Sequence, residues 1–337
     1  MPRRVLITGI TGFAGSHLAE RFVALGEEVH GFAFEEPPYP NLAAIAQDVR
    51  IHRGDITSLD DLRAAVGASD PDVVIHLAGQ AVPALAARDP VGAVRVNVLG
   101  TAAVLSAVEG SGAALVVASS GDVYGAPERS PVNEDAPVHP ANPYAATKVA
   151  AEALARELGE RGTHPVVILR PTNQIGPRQH PGLVASAFAK QIAEAEAGQS
   201  EPVVRHGSLE ASRDFIDVRD MAEAYVRASE ILAPGAHVFN VGTGRAVPIR
   251  EILAMLQGLA RIPVRAELDP DRVRSGNTFA FALDATRFGA RTGWRPRIGL
   301  ETSLRDLLDY WRDIVRSAGN ASPLAAAHGP QEKGSGA

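Results

Sequence analysis

Short apolar runs alternate with helical stripes along the first half of the chain. Val5-Leu6-Ile7 is a β-branched and apolar run, and a helical pattern follows from Ser16 to Leu25. Glu28–Phe34 reads as a second strand, Val49–Ile56 as a third, Asp72–Gly79 as a fourth and Ala113–Ala118 as a fifth. Ala93–Glu109 reads as a long helix with Val94, Val98, Ala102 and Leu105 on one stripe. Strand alternating with helix predicts an α/β fold around a doubly wound parallel sheet, with ligands at the C-terminal strand ends.

The second half is less regular. After a strand over Pro165–Arg170, Pro171–Gln179 is a loop rich in turn formers. Val184–Ala197 reads as a helix and Glu201–His206 as a strand; Ser212–Asp220 opens a helix to Leu232. His237–Gly242 is another strand, and Pro248–Leu259 and Leu300–Val315 are amphipathic helices. From Ala318 the composition is Gly, Ala, Ser and Pro without periodicity, which predicts a disordered tail over 318–337. The expectation is a dinucleotide-binding domain over 1–172, to which segments such as 214–242 return. A smaller α/β substrate-binding domain falls mainly within 173–317.

Composition narrows the chemistry. The 337 residues are 45% apolar and include no cysteine, which excludes disulfides, thiolate nucleophiles and Cys-ligated metals. None of the ten histidines falls in a metal-binding spacing, and His76, in a buried-type strand, reads as structural. A net charge of −6 gives no reason to expect nucleic-acid binding, and an anionic substrate needs a local arginine cluster instead. No apolar run reaches membrane-spanning length, and the N-terminus leads straight into a strand without a signal peptide. The expected location is the cytoplasm, away from membranes.

Candidate chemistry sits where the strands end. Gly9, Gly12 and Gly15 lie three and three apart between the first strand and its helix. That spacing suits a tight turn whose backbone approaches a pyrophosphate at a helix N-terminus. The second strand ends Phe32-Ala33-Phe34-Glu35, which does not decide NAD against NADP. Asp55 suits either an adenine amino group or a turn. Tyr144 and Lys148 lie four apart after Pro143, on one face of a helix. An ammonium beside a phenol lowers the phenol's pKa and lets Tyr144 exchange a proton near neutral pH. Ser120 follows the fifth strand, as a partner hydroxyl for a substrate oxygen or as a turn serine.

Together, Gly9-x-x-Gly12-x-x-Gly15, Gly54-Asp55, Leu77-Ala78-Gly79, Ser119-Ser120-x-x-Val123-Tyr124-Gly125, Tyr144-x-x-x-Lys148 and Arg170-Pro171-Thr172-Asn173 resemble the extended short-chain dehydrogenases/reductases, nucleotide-sugar branch. The likeness runs from about Arg3 to Arg316. It implies a Rossmann-type sheet, an NAD(P)H cofactor and a catalytic set of Ser120, Tyr144 and Lys148. It implies cofactor contacts from Gly9, Thr11, Gly12, Phe13, Ala14, Gly15, Asp55, Ile56, Leu77, Ala78, Gly79, Tyr144, Lys148 and Pro171. Implied substrate contacts are Gln80, Ser119, Ser120, Asp122, Asn173, Lys190, Arg213, Arg274 and Asn277, with Arg272 a weaker alternative to Arg274 and His180 within reach of the sugar. It also implies a homodimer through a four-helix bundle.

Ile175–Gln179, Ala189–Glu194 and Ser212–Phe215 are most similar to the GDP-mannose subgroup, and Ser119–Gly125 to its 4-keto-6-deoxymannose reductases. A 4,6-dehydratase needs a further acid/base carboxylate, carried by relatives in Thr-Asp-Glu or Thr-Ser-Glu. Ser120-Gly121-Asp122 lacks one of those side chains and shortens the other, which favours ketone reduction. The rival readings are a dehydratase or epimerase on the same scaffold, and a non-enzymatic dinucleotide sensor.

Overall fold

The computed structural model describes residues 1–162, 164–273 and 280–321. The chain begins β1 (Arg4–Thr8), α1 (Phe13–Ala24), β2 (Glu28–Ala33), β3 (Val49–Arg53), α2 (Leu59–Ser69), β4 (Val73–His76) and α3 (Pro83–Arg88). It continues α4 (Pro90–Val94), α5 (Gly100–Val108), β5 (Ala114–Ala118), α6 (Pro143–Glu160) and β6 (Pro165–Pro171). Next come β7 (Asn173–Ile175), α7 (Val184–Glu196), β8 (Val203–His206), β9 (Ser212–Asp217), α8 (Val218–Ala228) and β10 (Gly235–Val241). The last elements are β11 (Ala246–Pro248), α9 (Ile249–Leu259), β12 (Arg265–Leu268), β13 (Ala280–Phe281), α10 (Thr286–Thr292) and α11 (Leu300–Ala321).

Among the described residues, seven parallel strands form the main sheet in the order β10-β6-β5-β4-β1-β2-β3. Its central strands are buried on both faces and therefore read as continuous apolar runs. Successive residues feed opposite layers. Ile7, Ile75 and Val116 pack with Leu18, Phe22, Met221 and Phe288, while Leu6, Val74 and Leu115 pack with Leu62, Val104 and Leu158. Chain order reverses between β1 and β4, so the loops after Thr8 and His76 open a crevice at the switch point.

A second core joins α7, α9 and α11 through Phe188, Ile192, Leu253, Leu304 and Trp311. It lies under a small sheet in which β9 pairs with β7, β11 and β13.

Several boundaries differ from the pattern reading. Asn173–Ile175, read as loop, is β7, because it gains β9 as a partner. Ser212–Asp217 is a strand; the helix starts only at Val218, where the Asp217 carboxylate accepts from Arg219 N–H, and it stops at Ala228. Tertiary pairing overrides local propensity at both places. The helix read as Ala93–Glu109 begins at Pro90, capped by the Asp89 carboxylate on Gly92 N–H, and winds as a π-turn over Arg95–Leu99. This continuous helix, Pro90–Val108, is 19 residues long and apolar enough to span a bilayer by length and composition, contrary to the sequence expectation. It packs here against α2 and α6. α11 runs to Ala321, four residues into the expected tail, and 322–337 lie outside the described residues.

Candidate active site

Two of the three glycines are fixed by space. Gly9 adopts φ +72°, and a Cβ there would stand 2.8 Å from the Ala78 backbone nitrogen; on Gly15 it would stand 2.1 Å from the Gly9 carbonyl oxygen. Both contacts are shorter than a side chain permits, so the turn can close this tightly only with glycine. α1 starts at Phe13 without a side-chain cap, leaving its first N–H groups directed at the cleft. A cleft of about 770 Å³ opens there and runs past Leu77, Ala78 and Gly79 to Ser120, Asp122, Tyr144 and Lys148. This backbone cradle fits the pyrophosphate of a dinucleotide.

At the far end, α6 delivers the titratable pair. Asn142 caps its first turn by accepting from Ala145 N–H at 2.9 Å, and Pro143 opens the helix. Tyr144 is buried, and burial pushes its phenol pKa up. The Asp122 carboxylate adds to that, and a hydrogen bond from Ser120 works against it. The expected lowering by Lys148 is therefore overturned, because desolvation outweighs the distant ammonium. Lys148 Nζ donates to the Ala118 carbonyl at 2.8 Å and lies 6.0 Å from the Tyr144 ring centre. Burial lowers its pKa to about 8, opposed by Glu152. Ser120 also acts as a turn serine: its Oγ accepts from Asp122 N–H at 3.1 Å, which leaves the hydroxyl proton free to be donated towards the phenol. Burial raises the Asp122 pKa, against the pull of Arg213.

Buried polar groups hold this end rigid. Asn97, on the π-turn, accepts from Gln80 N–H at 2.7 Å and donates to Thr147 Oγ1 at 2.9 Å, and Thr147 donates to the Tyr144 carbonyl at 2.7 Å. Behind Lys148, the Glu152 carboxylate takes both arms of Arg170, at 2.9 and 2.7 Å, and the hydroxyl of Ser119. Arg170 continues to Tyr124 and Tyr124 to Asn240, each at 2.7 Å.

The implied cofactor residues all line the cleft, as do Ser119, Ser120, Asp122 and Asn173. Asp55 follows the turn alternative, accepting from Thr57 N–H and Oγ1 at 2.8 Å each, although it still faces the cleft. Ser119, expected to meet substrate, instead spends its hydroxyl on Glu152. Gln80 and Lys190 lie off the cleft wall. Gln80 Oε1 accepts from Val82 N–H, and Lys190 stands over the Trp311 ring and beside Glu194. Arg213 reaches Asp122 electrostatically and donates to the Ser212 carbonyl. Arg272 pairs with Asp269, and His180 accepts from Gly182 N–H. Arg274 and Asn277 lie outside the described residues.

Sequence reasoning assigns no role to Glu35, Gln174 or Gln179, yet all three stand in the cleft wall. Glu35 follows a strand whose end the pattern leaves unplaced. Gln179 ends the Ile175–Gln179 segment without an assigned role and Gln174 lies just before it; the burial of their amide oxygens marks both.

A parallel sheet with this cradle at its switch point, ending on a neutral phenol beside a serine and a lysine, defines a dinucleotide-dependent oxidoreductase. Residues 5–242 match the NAD dependent epimerase/dehydratase family, and the chain belongs to that family. It is an NAD(P)-dependent enzyme of the extended short-chain dehydrogenase/reductase type. GDP-6-deoxy-D-mannose reductase of Pseudomonas aeruginosa is 35% identical over 94% of this chain and 99% of that protein. UDP-glucose 4-epimerase of Mycolicibacterium smegmatis is 33% identical over 92% of this chain and 99% of that protein. Among solved structures, RMD from Pseudomonas aeruginosa complexed with NADPH aligns with a TM-score of 0.79 and 33% identity, covering 93% of this chain and 100% of that one. Thermus thermophilus UDP-glucose 4-epimerase in complex with NAD aligns at 0.81 and 31%, covering 92% and 99%.

Proposed function

We infer that the protein reduces a 4-keto-6-deoxy sugar nucleotide, foremost GDP-4-keto-6-deoxy-D-mannose, to GDP-D-rhamnose or its C4 epimer. The observation that carries this reading is the buried, protonated Tyr144 phenol between Ser120 and Asp122, in the cleft that holds the glycine cradle. Reduction of a ketone consumes a proton, so a phenol kept neutral is in the form the reaction needs. The reduced nicotinamide, when bound, supplies the hydride. Ser120 orients the ketone oxygen, Tyr144 gives it the proton, and Lys148 holds the nicotinamide ribose and supports the phenolate left behind. The likeness to the Pseudomonas aeruginosa reductase supports the choice of sugar.

Two buried acceptors support a hydroxyl-rich substrate. Gln174 Oε1 and Gln179 Oε1 have no hydrogen-bond partner among the described residues, and both residues line the cleft. An unmet buried acceptor costs about 1–3 kcal/mol, which a sugar hydroxyl would recover. In this reading residues 1–172, with later segments, serve the dinucleotide, and 173–317 mainly serve the sugar nucleotide. Arg213 and Asn173 stand on the substrate side. Exposed Val91, Val94, Leu99 and Leu154 on the α4–α5 and α6 surface support a homodimer of helices, in a cytoplasmic enzyme.

A second reading has one observation in its favour. Asp122 is a half-buried carboxyl of raised pKa close enough to Tyr144 to act on it, as a dehydratase would require. Gly121 beside it offers no further acid, and a Cβ there would lie 2.9 Å from Leu283. The test supplies purified protein with GDP-4-keto-6-deoxy-D-mannose and reduced cofactor, and follows cofactor oxidation and product. Conversion of GDP-mannose to the 4-keto-6-deoxy sugar by this protein alone would defeat the reductase assignment.

A further inference from the structure

Family membership leaves open which of two nicotinamide cofactors the cleft selects. The two differ only at the adenosine ribose, which carries either a 2′-hydroxyl or a 2′-phosphate. We propose that Glu35 makes this enzyme selective for NAD(H) over NADP(H).

Glu35 sits on the loop that follows β2. Glu35 lies twenty residues after Gly15, the distance at which an acidic side chain in this fold meets the ribose. It lines the cleft, and its carboxylate accepts from Thr11 Oγ1 of the glycine turn at 3.0 Å. Two further bonds fix that arrangement: Tyr39 Oη donates to the Glu35 carbonyl at 3.2 Å, and Asn41 Nδ2 to the Thr11 carbonyl at 2.9 Å. A carboxylate in this place accepts from a hydroxyl and repels a phosphate.

The cations nearby do not reverse this. Arg53, at the end of β3, is paired with Glu36, and Arg95 faces Asp55 at 3.8 Å. A 2′-phosphate would enter beside the consecutive carboxylates Glu35 and Glu36, each arginine already standing against an acid. The inference concerns cofactor choice alone and stands apart from the identity of the sugar.

Equilibrium binding tests it without any sugar substrate. Dissociation constants for NADH and NADPH are measured by calorimetry on the full-length protein and on Glu35→Gln and Glu35→Arg. The expected result is NADH bound at least roughly tenfold more tightly by the native chain, since like charges brought together readily exceed one decade of affinity. Glu35→Gln should narrow that ratio and Glu35→Arg reverse it. Equal or tighter binding of NADPH by the native chain overturns the proposal, as does a ratio unmoved in a Glu35→Gln protein of native circular dichroism. Should both variants fail to fold, 5′-AMP and adenosine 2′,5′-bisphosphate compete for the native site and probe the same discrimination. Preference for 5′-AMP supports the role of this subsite, and preference for the bisphosphate ends it.

Discussion

The Tyr144 phenol is pulled in one direction by two forces, burial and the charge of Asp122, and both keep its proton in place. Tyr144→Phe removes that proton while leaving the ring that packs against Ala86 and Ala93. Turnover should fall by about 10²–10⁴-fold, as for other positioned proton donors, while fluorescence titration gives near-native cofactor binding. Retained turnover would remove Tyr144 from the chemistry. His76 offers a different test. Its ring lies fully buried between Thr8 Oγ1 at 2.8 Å and Thr101 Oγ1 at 3.0 Å, and Thr101 donates its own proton to the Asn97 carbonyl at 2.6 Å. The network is therefore complete with a neutral imidazole that donates to Thr101 and accepts from Thr8. A second ring proton on Nδ1 would displace the hydrogen bond donated by Thr8, whose oxygen already accepts from Ala78 N–H, and burial lowers the pKa to about 3. Between there and the ordinary value near 6.5 the unfolded chain binds more protons, so stability rises with pH across that window and is lost as pH falls. From pH 7 to 5 this group alone removes roughly 2 kcal/mol. Denaturant titrations at the two pH values should show a smaller loss for His76→Gln than for the native chain. His76 was legible as structural because its apolar run marks a buried strand, whereas its two threonine partners come from distant segments with no shared pattern.

At the scale of elements, the glycine turn and α6 were readable because each is specified locally. A strand, three spaced glycines and a helical stripe leave little freedom, and Asn142-Pro143 punctuates the start of α6 in its own sequence. The small sheet around β9 was not readable. Its strands come from Asn173–Ile175, Ser212–Asp217, Ala246–Pro248 and Ala280–Phe281, too short and too far apart to declare themselves. Asp214 holds that region by accepting from Thr243 N–H, Gly244 N–H and Leu283 N–H. The π-turn at Arg95–Leu99 was equally hidden, yet it is what turns Asn97 towards Gln80 and Thr147. The turn's own prediction follows from space. Gly15→Ala would drive a methyl to 2.1 Å from the Gly9 carbonyl oxygen. The loop must then move away from α1, and cofactor affinity should drop by more than about tenfold, since binding here depends on backbone position within about 1 Å. The thermal midpoint without cofactor should fall as well, because Gly15 is buried and the atoms in the way are backbone. Calorimetric binding of cofactor and a melt of the free protein separate the two quantities.

The whole molecule works only if its two cores keep a fixed relation, because the cradle belongs to the first and the loop carrying Gln179 leads into the second. One short segment among the contacts that join them lies beside the cradle. His17 Nε2 and the Pro177 carbonyl meet at 3.0 Å, and Arg178 donates to Ser16 Oγ at 3.1 Å and to Glu20 at 2.5 Å. Ser16 and His17 lie in the first turns of α1, directly after the cradle, and Gln179 follows Arg178 in the cleft wall. Arg178 itself adopts φ +72°, a conformation a side chain resists and a neighbouring structure must enforce. The ion pair with Glu20 is partly covered, with side-chain exposures of 20% and 29%, so its removal should cost about 1–2 kcal/mol after solvent screening. Arg178→Ala loses those bonds and retains the strained backbone, so the loop is expected to leave its seat on α1. Cofactor binding and sugar-nucleotide KM should then weaken together, although Arg178 lies outside the Ser120–Tyr144–Lys148 cluster. Arg178→Gly loses the same bonds but relaxes the backbone, and should melt at a temperature between the native chain and Arg178→Ala. Scanning calorimetry of the three proteins decides it: if glycine is no better than alanine, the positive φ stores no strain, and the seat of this loop on α1 depends on the ion pair and hydrogen bonds of its side chains.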